Sequence, residues 1–171
     1  SGAFLITAFE YLLNYNNYLN DKIFDLTGTK DLFSDTTREI LQNNIFGVDL
    51  NKESVEITKL SLWLKTADKN KTLATLENNI KCGNSLIDDI EIAEELAFDW
   101  EKEFPQVFKN GGFDIVVGNP PYVRVQGLKE NYLEQTKYYE KNYVSATGSY
   151  DIYALFMEKG FKLINKKGLI S

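Results

Sequence analysis

The sequence predicts an α/β fold with a parallel-type sheet, on three observations. Short apolar runs at Asn44–Leu50, Asn79–Cys82 and Phe113–Val117 have the length and composition of strands. Helical patterns alternate with them. Each run ends on a polar or glycine-containing step, at Asp49, Gly83-Asn84 and Gly118-Asn119. Strands alternating with helices pack as parallel sheets, whose ligands collect at the carboxyl ends of the strands. Asp49, Asn84 and Asn119 are therefore expected on one rim, although they lie far apart in the chain.

The elements follow in order. Ala3–Tyr18 reads as a helix, because Phe4, Ile6, Phe9, Leu12, Leu13 and Leu19 give a broad apolar face at helical spacing. Ser1-Gly2 stands where an N-cap belongs. Asn14–Asn20, rich in Asn and Tyr, reads as a fraying end, and the polar stretch Asp21–Thr37 as a loop. After the Asn44–Leu50 strand, Asn51 is placed to cap a helix over Lys52–Thr66 carrying Val55, Leu62 and Trp63. Asn79–Cys82 is a weaker strand. Asp88–Glu103 is strongly acidic and reads as one short helix with a solvated face. Gly111-Gly112 breaks the chain before Phe113–Val117. Asp151–Ile164 reads as a helix, Lys166-Lys167-Gly168 as a turn and Leu169-Ile170-Ser171 as a strand just starting.

Composition removes several function classes. The chain of 171 residues is 43% hydrophobic, which argues against wholesale disorder. Its single cysteine, Cys82, forbids an intrachain disulfide and suits a reducing compartment. It has no histidine, which removes the commonest metal ligand, the Ser-His-Asp triad and the usual neutral-pH general base. No run reaches membrane-span length, and the N-terminus lacks signal-peptide features. The net charge of −6 argues against a binder that grips nucleic acid over its whole surface. The charge is uneven, however. Residues 119–171 hold eight Lys+Arg and five Asp+Glu, whereas residues 1–118 hold eleven and twenty. The split reads either as chance or as a polyanion-facing C-terminal part.

Asn119-Pro120-Pro121-Tyr122 carries the most chemistry. Successive prolines fix φ and remove two amide donors, which stiffens the loop and leaves nearby carbonyls free as acceptors. Asn119 adds a side-chain acceptor and donor, and Tyr122 a flat aromatic face. The set suits a planar substrate bearing an NH2 group. That group donates to the Asn119 oxygen and the Pro120 carbonyl while the ring stacks on Tyr122. The plain alternative is a rigid turn ending a strand. The position directly after a buried-type strand favours the substrate reading.

Five segments stand in one order: Ser1-Gly2-Ala3-Phe4-Leu5, Gly47-Val48-Asp49-Leu50 with the helix after it, Cys82–Ile87, Phe113–Val123, and Gly148–Phe156. With these, the chain resembles the N6-adenine DNA methyltransferases of bacterial restriction–modification systems, especially the large fused restriction–methylation enzymes. The resemblance implies a Rossmann-like, S-adenosylmethionine (SAM)-dependent methyltransferase fold with an incomplete parallel-type sheet and flanking helices. Residues 1–171 are then expected to be part of a catalytic domain, with the first strand, the C-terminal strands and the target-recognition domain outside it. This piece alone is expected to be inactive and to bind SAM poorly.

The resemblance also implies roles. Ser1, Gly2 and Ala3 begin a helix whose free amides face the amino-acid part of SAM. Asp49 accepts from the ribose hydroxyls, or alternatively is the N-cap of the following helix. Leu50 packs on the SAM adenine. Asn84, beside Ser85, bonds that adenine's amino group, or is simply a Gly-Asn turn. Asn119, Pro120, Pro121 and Tyr122 form the catalytic set, and no metal is required. Acceptors hold the target N6 near a tetrahedral shape, so positioning and oriented dipoles supply the rate. The target adenine is flipped out of duplex DNA at a cost of roughly a few kcal/mol. Stacking on Tyr122, worth roughly 1–3 kcal/mol, offsets part of that.

Arg124, Lys129, Lys137 and Lys141, interleaved with tyrosines, read either as a DNA-facing loop or as an ordinary solvated helix. Asp151, Tyr153 and Phe156 read as packing of the next helix near the site. The implied setting is the bacterial cytoplasm, without membrane, with a nuclease and a recognition domain as potential fusions. Two other functions stand as alternatives, the first of which also uses Asn-Pro-Pro-Tyr. One is methylation of a release-factor glutamine or an rRNA base, by enzymes that are usually more compact. The other is a catalytically inactive DNA- or partner-binding module.

Overall fold

The computed structural model describes residues 2–29, 35–66, 75–129 and 132–171. It is mixed α/β with short parallel strands, in two compact units, Ser1–Cys82 and Gly83–Ser171. Among the described residues, no helix is long and apolar enough to cross a membrane.

The first unit holds α1 (Ala3–Thr27), α2 (Thr36–Asn43), β1 (Gly47–Asp49), α3 (Lys52–Thr66) and β2 (Ile80–Cys82). β1 and β2 pair in parallel, Gly47 opposite Ile80 and Asp49 opposite Cys82. Phe9, Ile40, Leu41, Ile45, Val55, Leu62, Leu76 and Ile80 form the core. Asn79 ties this unit together from inside. It is buried, and its Nδ2 donates to the carbonyls of Gln42 at 2.9 Å and Ile45 at 3.0 Å. The Gln42 carbonyl in the last turn of α2 and the Ile45 carbonyl just beyond it are thus given a partner.

The second unit holds α4 (Ile90–Ala93), a 3-10 turn (Glu94–Leu96), α5 (Trp100–Glu103), α6 (Pro105–Lys109), β3 (Phe113–Val116), α7 (Val125–Lys129), α8 (Leu133–Asn142), α9 (Ile152–Leu163) and β4 (Ile164–Ile170). β3 and β4 pair in parallel. Leu86, Ile87, Val125, Tyr139, Tyr143, Ile152 and Leu155 lie in its core. A cluster of Phe98, Trp100, Phe104, Phe108 and Phe113 packs largely edge to face, a favoured aromatic geometry. Gly160 lets β4 lie directly against α9, because a Cβ there would collide with Ile170.

Several expectations hold. The Lys52–Thr66 helix is present, capped by Asn51, whose Oδ1 accepts from Ser54 N at 2.8 Å. The three predicted strands are present, though shorter, and the predicted Asp151–Ile164 helix is α9 with Asp151 at its N-cap.

Others need correction. The stretch Asn14–Asn20 does not fray, and Asp21–Thr27 is helical rather than loop. Pairs at i,i+4 support this part of α1: Tyr11 stacked on Tyr15, Asn20 Nδ2 bonded to Asn16 Oδ1, and Lys22 over the Tyr18 ring. The true stop is Gly28, left-handed at φ 69°, whose N–H bonds to Phe24 O. The end of the expected loop belongs to α2, whose Ile40 and Leu41 are buried. Residues 30–34 of that loop lie outside the described residues.

The acidic segment is not one helix. Asp89 accepts from Glu91 N and starts α4, and Asp99 accepts from Glu101 N and Lys102 N and starts α5. Its aspartates act as caps, which cut the segment into short pieces. The last correction concerns Lys166-Lys167-Gly168, which lies within β4. The turn chemistry is real, since Asn165 Oδ1 accepts from Lys167 N. It appears as a register shift: Phe113 faces Ile164, but Ile115 faces Leu169.

Candidate active site

In the first unit, the N-terminus of α1 is seated against α3. Gly2 has φ 66°, and a Cβ on it would collide with Thr58, so glycine is required twice over. Its carbonyl accepts from Ile6 N, which opens the helix at Ala3. Ser1 lies outside the described residues. Asp49 ends β1, and its Oδ1 accepts from Asn51 N at 2.9 Å. The cap of α3 is therefore Asn51, not Asp49, which lies two residues before it. Leu50 is 57% exposed, an apolar side chain standing open beside that carboxylate.

In the second unit, Asn84 is tied into its own turn. Its N–H donates to Leu96 O at 2.7 Å, and its Oδ1 accepts from Leu86 N at 3.1 Å. Burial raises the pKa of Tyr139, and the Asn84 side chain lowers it in part. The Gly-Asn turn is therefore present. Ser85 is half-buried, and its carbonyl accepts from Trp100 Nε1 at 3.1 Å.

The loop of residues 117–123 leaves the carboxyl end of β3 and is pinned at both ends. Before it, Ser171 N donates to Val116 O and Gly118 N donates to Ser171 O at 3.1 Å. After it, Val123–Val125 runs antiparallel to Tyr150–Ile152. Ile152 N donates to Val123 O at 2.9 Å, Val125 N donates to Tyr150 O at 3.0 Å, and Arg124 faces Asp151. Between these clamps, Asn119 and Pro121 are exposed and Pro120 is half-buried. Among the described residues the Asn119 side chain makes no hydrogen bond. Tyr122 is 82% exposed, and its ring lies nearly parallel to that of Tyr153, 12° apart with centroids at 6.1 Å. The arrangement offers a donor, acceptors and an aromatic face on a backbone held by other elements.

The segment between α8 and α9 is held as firmly. Glu158 accepts from Val144 N, Ser145 N and Ser145 Oγ and pairs with Lys162 at 2.7 Å. Desolvation opposes its ionisation, but these bonds outweigh that and hold its carboxyl at about 2. Tyr143 donates to Leu86 O at 2.6 Å, and burial pushes its pKa far up. Tyr138 donates to Asp88 at 2.6 Å; burial, then that bond, pushes its pKa up to about 12.

Among the basic residues, Arg124 is exposed beside the loop. Lys137 and Lys141 stand one turn apart on the exposed side of α8, whose Thr136 and Tyr139 are buried. Lys137 already pairs with Glu134 at 2.8 Å. The Lys129 side chain lies outside the described residues. Phe156 packs on the core, as expected, whereas Tyr153 is 40% exposed and faces Tyr122. The stacked pair and the antiparallel clamp were not legible in the sequence, although both residues of the pair lay in segments singled out there.

Comparison with known proteins places the chain in a family. Residues 43–171 match the model of the Eco57I restriction-modification methylase family. The chain is 29% identical over 186 residues to the type II restriction enzyme and methyltransferase RM.Eco57I of Escherichia coli, covering 99% of this chain and 18% of that protein. It is 27% identical over 150 residues to the adenine-specific methyltransferase PglX of Streptomyces coelicolor, covering 73% of this chain and 12% of that protein. It is 32% identical over 71 residues to the type II methyltransferase M.BstVI of Geobacillus stearothermophilus, covering 42% and 12%. The chain thus spans less than a fifth of the length of these relatives. With its match running from before β1 to the last residue, the chain belongs to the Eco57I restriction-modification methylase family.

Proposed function

We propose that this chain is the catalytic part of a SAM-dependent DNA methyltransferase acting on the N6 amino group of adenine in a specific duplex site. The observation that carries the reading is the 117–123 loop. It places Asn119 and Tyr122 exposed at the end of a parallel strand, on a backbone clamped from both sides. The family match and the adenine-specific relative support the same chemistry.

The residues fit SAM in chemical kind. Gly2 and Ala3 stand at a helix start, where the first amides have no partner within the helix. Asp49 offers a carboxylate for ribose hydroxyls, and Leu50 an open apolar surface for the adenine. Asn84 and Ser85 belong to the same proposed set. The Asn84 oxygen accepts one backbone bond and, having two lone pairs, can take a second donor. SAM, when bound, supplies an electrophilic sulfonium methyl.

The loop prepares the acceptor. The Asn119 oxygen and the Pro120 carbonyl take the two N6 hydrogens and turn the nitrogen lone pair out of conjugation. Tyr122 holds the flipped base by stacking. Pro120 and Pro121 keep the carbonyls from rotating away, so little reorganisation accompanies the reaction. Arg124, Lys129, Lys137 and Lys141 are assigned to DNA phosphates.

The test is transfer of a tritiated methyl group to unmethylated duplex DNA by the intact protein. Asn119→Ala is expected to lower the rate about 100- to 1000-fold, the effect of removing one preorganised polar contact from a reacting centre. A wild-type rate in that variant removes the mechanism.

A further inference from the structure

We propose that Tyr153 is a positioning residue that fixes the plane of Tyr122 and leaves one face of that ring for the incoming base. The proposal rests on the reading of Tyr122 as the base-stacking residue. An aromatic side chain that is 82% exposed on an irregular loop has little to hold its ring in one plane. Tyr153 supplies that restraint. The two rings are 12° from parallel with centroids 6.1 Å apart, within the range of favourable aromatic pairs.

The backbone enforces this spacing. Ile152 N donates to Val123 O at 2.9 Å, so the residues next to Tyr153 and Tyr122 are hydrogen-bonded to each other. Tyr153 itself stands on the first turn of α9, a helix anchored by buried Ile152 and Leu155. The rigid partner is therefore on the helix and the guided one on the loop. A ring has two faces; with Tyr153 against one, a base stacks on the other. Nothing in this arrangement needs the Tyr153 hydroxyl.

The experiment compares Tyr122→Ala, Tyr153→Leu, Tyr153→Phe and the Tyr122→Ala/Tyr153→Leu double variant of the intact protein. The readouts are methylation kinetics on unmethylated duplex DNA and thermal unfolding. Tyr153→Leu is expected to lower kcat about three- to tenfold with KM for DNA nearly unchanged, and Tyr153→Phe to stay within about twofold of wild type. Unfolding temperatures stay together. In the double variant, Tyr153→Leu adds no further loss, because its effect passes through the missing ring. A wild-type kcat in Tyr153→Leu, equal defects in the Leu and Phe variants, or fully additive losses in the double variant each overturn the proposal. A wild-type rate in Tyr122→Ala overturns it by a separate route, by removing the base-stacking reading itself.

Discussion

Asn84 and Asn119 each stand just past a parallel strand, yet their side chains are used differently. The Asn84 oxygen accepts from Leu86 N, so this side chain shapes its own turn. Asn119 makes no side-chain hydrogen bond among the described residues, while the backbone on both sides of its loop is clamped. The difference separates two meanings of a polar residue at a strand end. One holds the chain in shape. The other is held in shape by the chain and keeps its donor and acceptors for a ligand.

The sharpest test of that contrast pairs the two residues in the intact protein. Asn119→Ala is expected to lose about 100- to 1000-fold in methyl transfer with an unchanged melting temperature. Asn84→Ala is expected to lower the melting temperature. If calorimetry finds Asn119→Ala the less stable of the two, the contrast is broken.

Asn79 extends the engaged class to the first unit. Asn79→Ala orphans carbonyls at the end of α2 and is expected to cost about 2–3 kcal/mol in denaturant unfolding. A loss below roughly 0.5 kcal/mol shows that those carbonyls find other partners.

Glu158 tests the same idea through pH. Its folded pKa, about 2, lies below the ordinary glutamate value of 4.5. A depressed folded pKa contributes stability above the unfolded pKa, and that contribution is lost as pH falls through the folded one. Wild-type stability should therefore decline from about pH 4.5 toward about pH 2 partly through this group. Glu158→Gln should remove that part of the slope and cost about 1–2 kcal/mol at neutral pH. An unchanged acid profile in the Gln variant rules the contribution out.

The smallest effect concerns the exposed class. Lys141→Ala should reduce the salt dependence of DNA binding by about one unit of log–log slope, and Lys137→Ala by less, because Lys137 already pairs with Glu134. Equal slopes in wild type and both variants return α8 to an ordinary solvated helix.

The sequence made the strands and the α3 helix legible because their signals are local. Alternating apolar runs, the Asn51 cap and the Gly-rich breaks act within a few residues. It misread the second half of α1 because Asn and Tyr are weak helix formers, and their i,i+4 pairing supports the turns there. It read the acidic segment by charge, where the fold uses Asp89 and Asp99 by position as caps.

By itself the sequence determined the parallel α/β pattern, the place of Asn119–Tyr122 after β3 and the membership of the chain in its family. Proline, glycine and short-range periodicity carry that information without reference to distant residues. The tertiary structure alone decided that Asn84 is tied into a turn, that Val123–Val125 is clamped to Tyr150–Ile152, and that Tyr153 lies against Tyr122. Those contacts join segments 25 to 31 residues apart, or depend on which lone pair a neighbour occupies, and no local spacing encodes them.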